Sequence, residues 1–232
     1  MNSVDIYIVV EGQTEQTFVR DVLAPHMAYK GIFLRPALIG KPGHKGGDIR
    51  FERAKNDIGN FLRQRNDTYI STMFDYFRID PKWPGKSEIG QQIRHGTKLT
   101  AINKAKLLED ATHIEIVQSF LDCDSENRFV SYIEMHEFEA LLFSNVDILA
   151  EKIEIDVSLV RRIIANYDNP EEINDNPANT PSKRLEALKN GYRKVAMGKM
   201  VSEAIGIEVI RRKCPHFNSW LTKLEHLKEM SK

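Results

Sequence analysis

The sequence is short of cysteine, of charge imbalance and of long apolar runs, and each shortage removes a class of protein. Only Cys123 and Cys214 occur in 232 residues. They are too few for a disulfide framework and lack the paired spacing of a structural zinc site. No stretch approaches the roughly 18 consecutive apolar residues of a membrane-spanning helix, and the first residues do not have the pattern of a signal peptide. The expected location is a reducing cytoplasm, with no membrane engagement. The 33 Lys and Arg are balanced by 33 Asp and Glu. A uniformly basic wrapper of nucleic acid is therefore disfavoured, although a local basic groove beside an acidic cluster remains open. Repeats and low-complexity tracts are absent, and 41% hydrophobic with 28% charged residues argues for an ordinary globular chain rather than disorder.

What is present is an alternation of strand and helix signals. Val4 to Val10, "VDIYIVV", is a nearly continuous apolar run of the kind a central parallel strand shows, and it stops at Glu11. Gly12 lets the chain turn, and "TEQTFVRDVLAPHMA" then has helical spacing at Phe18, Val22 and Leu23. "IFLRPALI" (Ile32 to Ile39) reads as a second strand, "GKPGHKGG" as a loop, Arg50 to Arg65 as a helix and "YISTMFDYF" as a third strand. "PKWPGKSEIGQQ" reads as a loop, and Thr97 to Leu121 leans helical, with "IEIV" open to a short strand. "RFVSYIEM" reads as a fourth strand leading into an apolar helical stripe in "HEFEALLF". Beyond about Asn145 the chain reads as helical, broken by the polar "DNPEEINDNPANTPS", and ends in "CPHFNSWLTKLEHL" with Phe217, Trp220, Leu221, Leu224 and Leu227 on one face. The expected fold is α/β, a Rossmann-like, mainly parallel sheet flanked by helices. Residues 1–145 would form the core and 146–232 a helical C-terminal extension packed on it.

Acids recur at the expected strand ends: Glu11 after the first, Asp75 after the third, and Glu134 with Glu137 around the fourth. In a parallel sheet these ends share one edge, where ligands bind. Carboxylates gathered there repel one another, and the natural compensation is a hard divalent cation, Mg²⁺ or Mn²⁺, of use in phosphoryl chemistry. The bland reading of Glu11 is a strand-terminal partner of Arg or Lys, and that of Asp75 is a turn-forming side chain. "LDCD" is a literal D-x-D, yet the "SENR" after it makes Asp122 and Asp124 read as a polar turn or helix cap. Glu137, in the first turn beside the strand end, is preferred to Glu139, which reads equally well as a solvated charge. Glu15 reads as a first-turn acid favoured by the helix dipole. His136 is a candidate for proton transfer, with capping as its plainer role. "TPSKRLEALKNGYRK" offers Ser182, Lys183 and Arg184 for a phosphate at a helix start, against the alternative of a capped surface helix. Lys45 in "GKPGHKGG" is a further phosphate contact or part of a plain connector; the loop does not match a P-loop.

Taken together, "VVEGQTEQTFV", "STMFDYF", "YIEMHEFEALLF", "TPSKRLEAL" and "CPHFNSWL" resemble a bacterial family distantly similar to Toprim domains, over almost the whole chain. Toprim domains, shared by topoisomerases, primases and OLD-type nucleases, bind Mg²⁺ with a Glu after their first strand and an Asp-x-Asp after their third. The resemblance implies that Glu11 matches that Glu and Asp75 the first Asp, while Phe77 stands where the second Asp is expected. Either Asp80 or Glu137 would then supply the missing carboxylate. It also implies a partner ATPase of the ABC or AAA kind and a role in defence against phage or foreign DNA. The resulting expectation is a Mg²⁺-dependent (or Mn²⁺-dependent) phosphodiesterase, a nuclease acting on DNA or RNA. Glu11, Asp75 and Glu137 are its metal ligands, His136 an outside acid/base, and Lys183, Arg184, Ser182 and Lys45 its phosphate contacts. The rival expectation is a non-catalytic module that binds nucleic acid, nucleotide or the ATPase.

Overall fold

A computed structural model describes residues 3–40, 49–173 and 176–230. The loop carrying Lys41, His44 and Lys45 lies outside these residues. Strand β1 (Val4–Val10) pairs in parallel with β2 (Ile32–Leu38) on one side and β3 (Thr68–Asp75) on the other. The sheet order is β2-β1-β3-β4, with β4 (Phe129–Val130) and β5 (Ile133–Glu134) both parallel to β3. Helices flank this sheet, so the fold is α/β with a mainly parallel sheet and a run of C-terminal helices. The continuous apolar run of β1 has its reason here. Ile6, Ile8 and Val10 face one apolar cluster while Val9 faces the other, so both sides of the strand are covered.

Between β1 and β2 the chain passes through α1 (Gln13–Phe18), a π-helical turn (Val19–Leu23) and α2 (Ala24–Ala28). Helix α3 (Phe51–Gln64) joins β2 to β3 over the other face. Helix α4 (Lys86–Arg94) occupies much of what the sequence suggests is loop. Gly85, in the left-handed region at φ 85°, turns the chain into it, and Ile89 anchors it in the core. Helix α5 (Ala101–Ser119) includes "IEIV"; Thr100 caps it, its hydroxyl accepting from the Asn103 N–H at 3.2 Å.

The "RFVSYIEM" segment is not one strand. It forms two short ladders interrupted at Ser131 and Tyr132, where the Thr72 hydroxyl donates to the Tyr132 carbonyl and accepts from its N–H, both at 2.9 Å. "HEFEALLF" also differs from the expected stripe. Phe138–Ser144 is a 3₁₀ segment with every residue buried, packed against the C-terminal helices, so it has no solvent face.

Those helices are α7 (Val146–Ile153), α8 (Val157–Ile164), α9 (Pro181–Leu188), α10 (Lys194–Ile205), α11 (Ile207–Lys213) and α12 (Pro215–Met230), after the one-turn α6 (Ser125–Arg128). Phe217, Trp220, Leu221, Leu224 and Leu227 are all buried and share one cluster with Ile6, Ile8 and Val10. Trp220 stacks on Tyr132 with ring centroids 4.2 Å apart and donates its indole N–H to Ser71 at 2.9 Å. No described helix is long and apolar enough to cross a membrane.

"LDCDSENR" is a turn closed by a buried arginine. Asp124 sits at φ 51° and accepts from the Asn127 amide at 2.7 Å. Arg128 donates to the carbonyls of Thr68, Leu62, Cys123 and Arg65, tying the end of α3 to the start of β3. Truncating Arg128 to Ala orphans these carbonyls, so a loss of about 3 kcal/mol is expected. Urea denaturation checks this, as a lowered midpoint with an unchanged slope.

Candidate functional site

Because the strands run parallel, their carboxyl ends meet at one edge of the sheet. Glu11 follows β1, Asp75 closes β3, and Glu137 stands three residues past the end of β5. All three line one cleft of about 440 Å³. Thr180, Ser182, Lys183 and Glu186, in and just before α9, also line it, as does Lys194, which opens α10. Glu15 and Glu139 complete the acidic lining, although the sequence suggests plainer roles for both.

Glu15 reaches the cleft because α1 begins directly at the sheet edge and this position of its first turn faces inward; Gln13 is exposed, whereas Glu15 is 5% exposed. Gly12 precedes α1 in an extended conformation that any residue can adopt (φ −141°, ψ −178°). Its small size matters for another reason: a Cβ there would lie 3.0 Å from the Glu15 Oε2. Glu139 is buried because the whole 3₁₀ segment around it is.

The hydrogen bonds leave part of this oxygen surface unused. Arg78 Nε donates to Glu11 Oε1 at 2.9 Å, while Glu11 Oε2 is buried without a hydrogen bond. Asp75 Oδ1 accepts from the Phe138 N–H, and Glu137 Oε2 from the Ser182 N–H, both at 3.0 Å. Glu139 Oε1 is buried without a hydrogen bond, with Lys194 Nζ 3.9 Å away.

Burial and mutual repulsion shape the charges. Burial pushes the Glu11 carboxyl above its ordinary value, against the pull of Arg78. Burial, then the charge of Glu11, raises Glu15 to about 8. Asp75 is raised well above the usual carboxylate range, by burial and then by the fields of Glu15, Glu11, Glu139 and Glu137. Glu139 is raised to about 7, chiefly by burial. Burial opposes the Lys194 charge, yet the surrounding carboxylates outweigh it and hold that pKa up.

An all-oxygen, mutually repelling donor set with two unused buried oxygens fits a hard divalent cation in chemistry and charge. Among the described residues, however, no group of three or more His, Cys, Asp or Glu is placed to hold a metal ion. The acids converge on the cleft without forming a closed coordination shell.

Of the other candidates, Ser182 and Lys183 line the cleft, and Asp80, Glu134, His136 and Arg184 do not. Asp80 caps α3, accepting from the Phe51 N–H at 3.0 Å, and closes its own turn through the Lys82 N–H at 2.6 Å; it does not line the cleft. Glu134 accepts from the Tyr132 hydroxyl at 2.7 Å in the interior. His136 is 1% exposed, stacked on Phe77 and edge-on to Tyr76, outside the lining. Of the α9 pair, Lys183 lines the cleft, whereas Arg184 bonds the Asn179 carbonyl and the Tyr167 hydroxyl, both at 3.1 Å. Ser182 is buried and uses its N–H on Glu137. Lys45 lies outside the described residues.

Comparison with curated proteins and with solved structures returns no match. A family profile does match, over residues 10–225, from the last residue of β1 to α12 and so through every wall of the cleft. The chain belongs to that family, described as a domain of unknown function, DUF4276.

Proposed function

We propose that this protein is a divalent-cation-dependent phosphodiesterase acting on nucleic acid. The observation that carries this reading is the delivery of Glu11, Asp75 and Glu137 from three separate segments into one cleft, with Glu15 and Glu139 beside them. Six carboxylates line the cleft, counting Glu186, and burying four of them, Glu15, Asp75, Glu137 and Glu139, costs stability; such clusters concentrate at functional sites. Resemblance to Toprim domains supports the same reading through Glu11 and Asp75. When bound, a divalent cation supplies charge neutralisation and Lewis acidity at a phosphate.

The chain's own residues divide the remaining work. Glu11 and Asp75 supply anionic oxygens, and the Ser182 N–H holds Glu137 in place beside them. Lys183 and Lys194 add positive charge among the acids, suited to an anionic backbone entering the cleft. His136 takes no part, being packed between aromatics.

A second reading, a non-catalytic module that binds nucleic acid or nucleotide, has its own support. Arg78 already neutralises Glu11, and no three described acids are placed to hold a metal ion. Incubation of plasmid and single-stranded DNA and RNA with the protein and Mn²⁺ separates the two. The first reading expects cleavage in wild type and loss of at least about a hundredfold in Glu11→Ala. Nucleic-acid binding without cleavage would replace it with the second.

A further inference from the structure

The cleft contains a cation that the sequence pattern does not announce. Arg78 lies three residues past the end of β3, and its backbone is fixed on both sides. Its N–H donates to the Asp75 carbonyl at 2.9 Å, and its carbonyl accepts from the Ile49 N–H at 2.6 Å. Its side chain is otherwise placed: 40% exposed, at the cleft mouth, with Nε on Glu11 Oε1 at 2.9 Å. Glu11 is only 11% exposed in its side chain, and its other oxygen is buried without a hydrogen bond. A guanidinium therefore neutralises one of the acids that a divalent cation in the cleft would engage.

We infer that Arg78 is a resident counter-cation that competes with a divalent metal ion for Glu11. This rests on the proposed metal-dependent reading. The geometry suits such competition: the guanidinium holds one oxygen of Glu11 while the other is buried without a hydrogen bond. Arg78 lines the same cleft as Lys183 and Lys194, where a planar guanidinium fork suits a phosphate. In the resting cleft the pair limits repulsion among Glu11, Glu15 and Asp75, each of which feels its neighbours' charge.

The test is Mn²⁺ binding, measured by titration calorimetry and independent of any activity, on wild type, Arg78→Gln, Arg78→Lys, Glu11→Gln and the Glu11→Gln/Arg78→Gln double variant. Competition expects Arg78→Gln to bind Mn²⁺ roughly five- to tenfold more tightly. In the Glu11→Gln background the same change should matter by less than about twofold, because the contested carboxylate is gone. Arg78→Lys, which lacks the Nε contact, should tighten binding by a smaller factor; it keeps the test decisive should the Gln variant fold poorly.

Unchanged or weaker binding in both Arg78 variants overturns the inference and leaves the metal reading standing. An equal gain with and without Glu11 also overturns it, since a general field effect would then explain the result. Absence of Mn²⁺ binding to all five proteins overturns the inference together with the metal reading.

Discussion

Replacing Asp75 with Asn is expected to lower Mn²⁺-supported cleavage by at least about a thousandfold while leaving the protein folded. Asn keeps an oxygen in the place of Oδ1, so it can go on accepting the Phe138 N–H that ties β3 to the 3₁₀ segment. What disappears is a carboxyl whose ionisation is opposed by burial and then by the fields of Glu15, Glu11, Glu139 and Glu137. A carboxyl that ionises less readily in the folded protein than in the unfolded chain costs stability at alkaline pH, and Asn carries no such cost, so the variant should melt higher than wild type at pH 8 without added metal. A catalytic loss accompanied by a stability gain is difficult to attribute to misfolding. Single-turnover cleavage and thermal denaturation on the same preparation read the two effects. Retention of more than a tenth of wild-type cleavage would remove Asp75 from the site.

The sheet and the acids at its edge were the most legible parts of the chain, for one physical reason. A strand buried on both faces must be apolar throughout, so "VDIYIVV" marks both its own course and the point where it stops, at Glu11. The same reasoning locates Asp75 at the end of β3. Glu15 is harder to see, because a first-turn acid is favoured on any helix by the dipole. Only the fact that α1 starts directly at the sheet edge turns that turn into the cleft. One signal was available: Glu15 lies three residues before the buried Phe18 and so shares its inward face.

Neighbouring residues on one helix show the same limit. A helix rotates about 100° per residue, so Lys183 enters the cleft while Arg184 turns to Tyr167. Sequence order alone does not choose between them. Phe77, standing where the resemblance suggests a second Asp, packs on His136, so two candidate positions are spent on one aromatic contact. Arg78, the next residue, brings a positive charge to Glu11, and nothing in "DYFR" announces it because the pairing spans 67 residues.

Glu15 should also make the protein less stable as the solution becomes more alkaline. Its folded pKa is about 8, against an ordinary value of 4.5. Between those values the folded protein holds a proton that the unfolded chain has released, so stability is fully present below pH 4.5 and is lost as pH rises towards 8. Glu139, raised to about 7, acts in the same direction. Asp21, held low first by Arg20, and Glu225, held low by Arg211 and Lys30 despite its burial, act in the opposite direction, but only below the ordinary carboxylate range. Outside the cleft, burial also raises Glu134 and Glu171 and lowers His26, so the cleft's share of the pH dependence in thermal melting between pH 5.5 and 8 is the difference between wild type and Glu15→Gln. The midpoint should fall across this range, and Glu15→Gln should flatten the fall and raise stability at pH 8 by on the order of 2–4 kcal/mol. Adding Mn²⁺ should raise the wild-type midpoint more at pH 8 than at pH 5.5, because a cation binds the ionised carboxylates and protons compete with it. A Glu15→Gln variant with the wild-type pH slope and no gain at pH 8 would show that this carboxyl is ionised without penalty. The repulsion among the cleft acids would then be too weak to call for a cation.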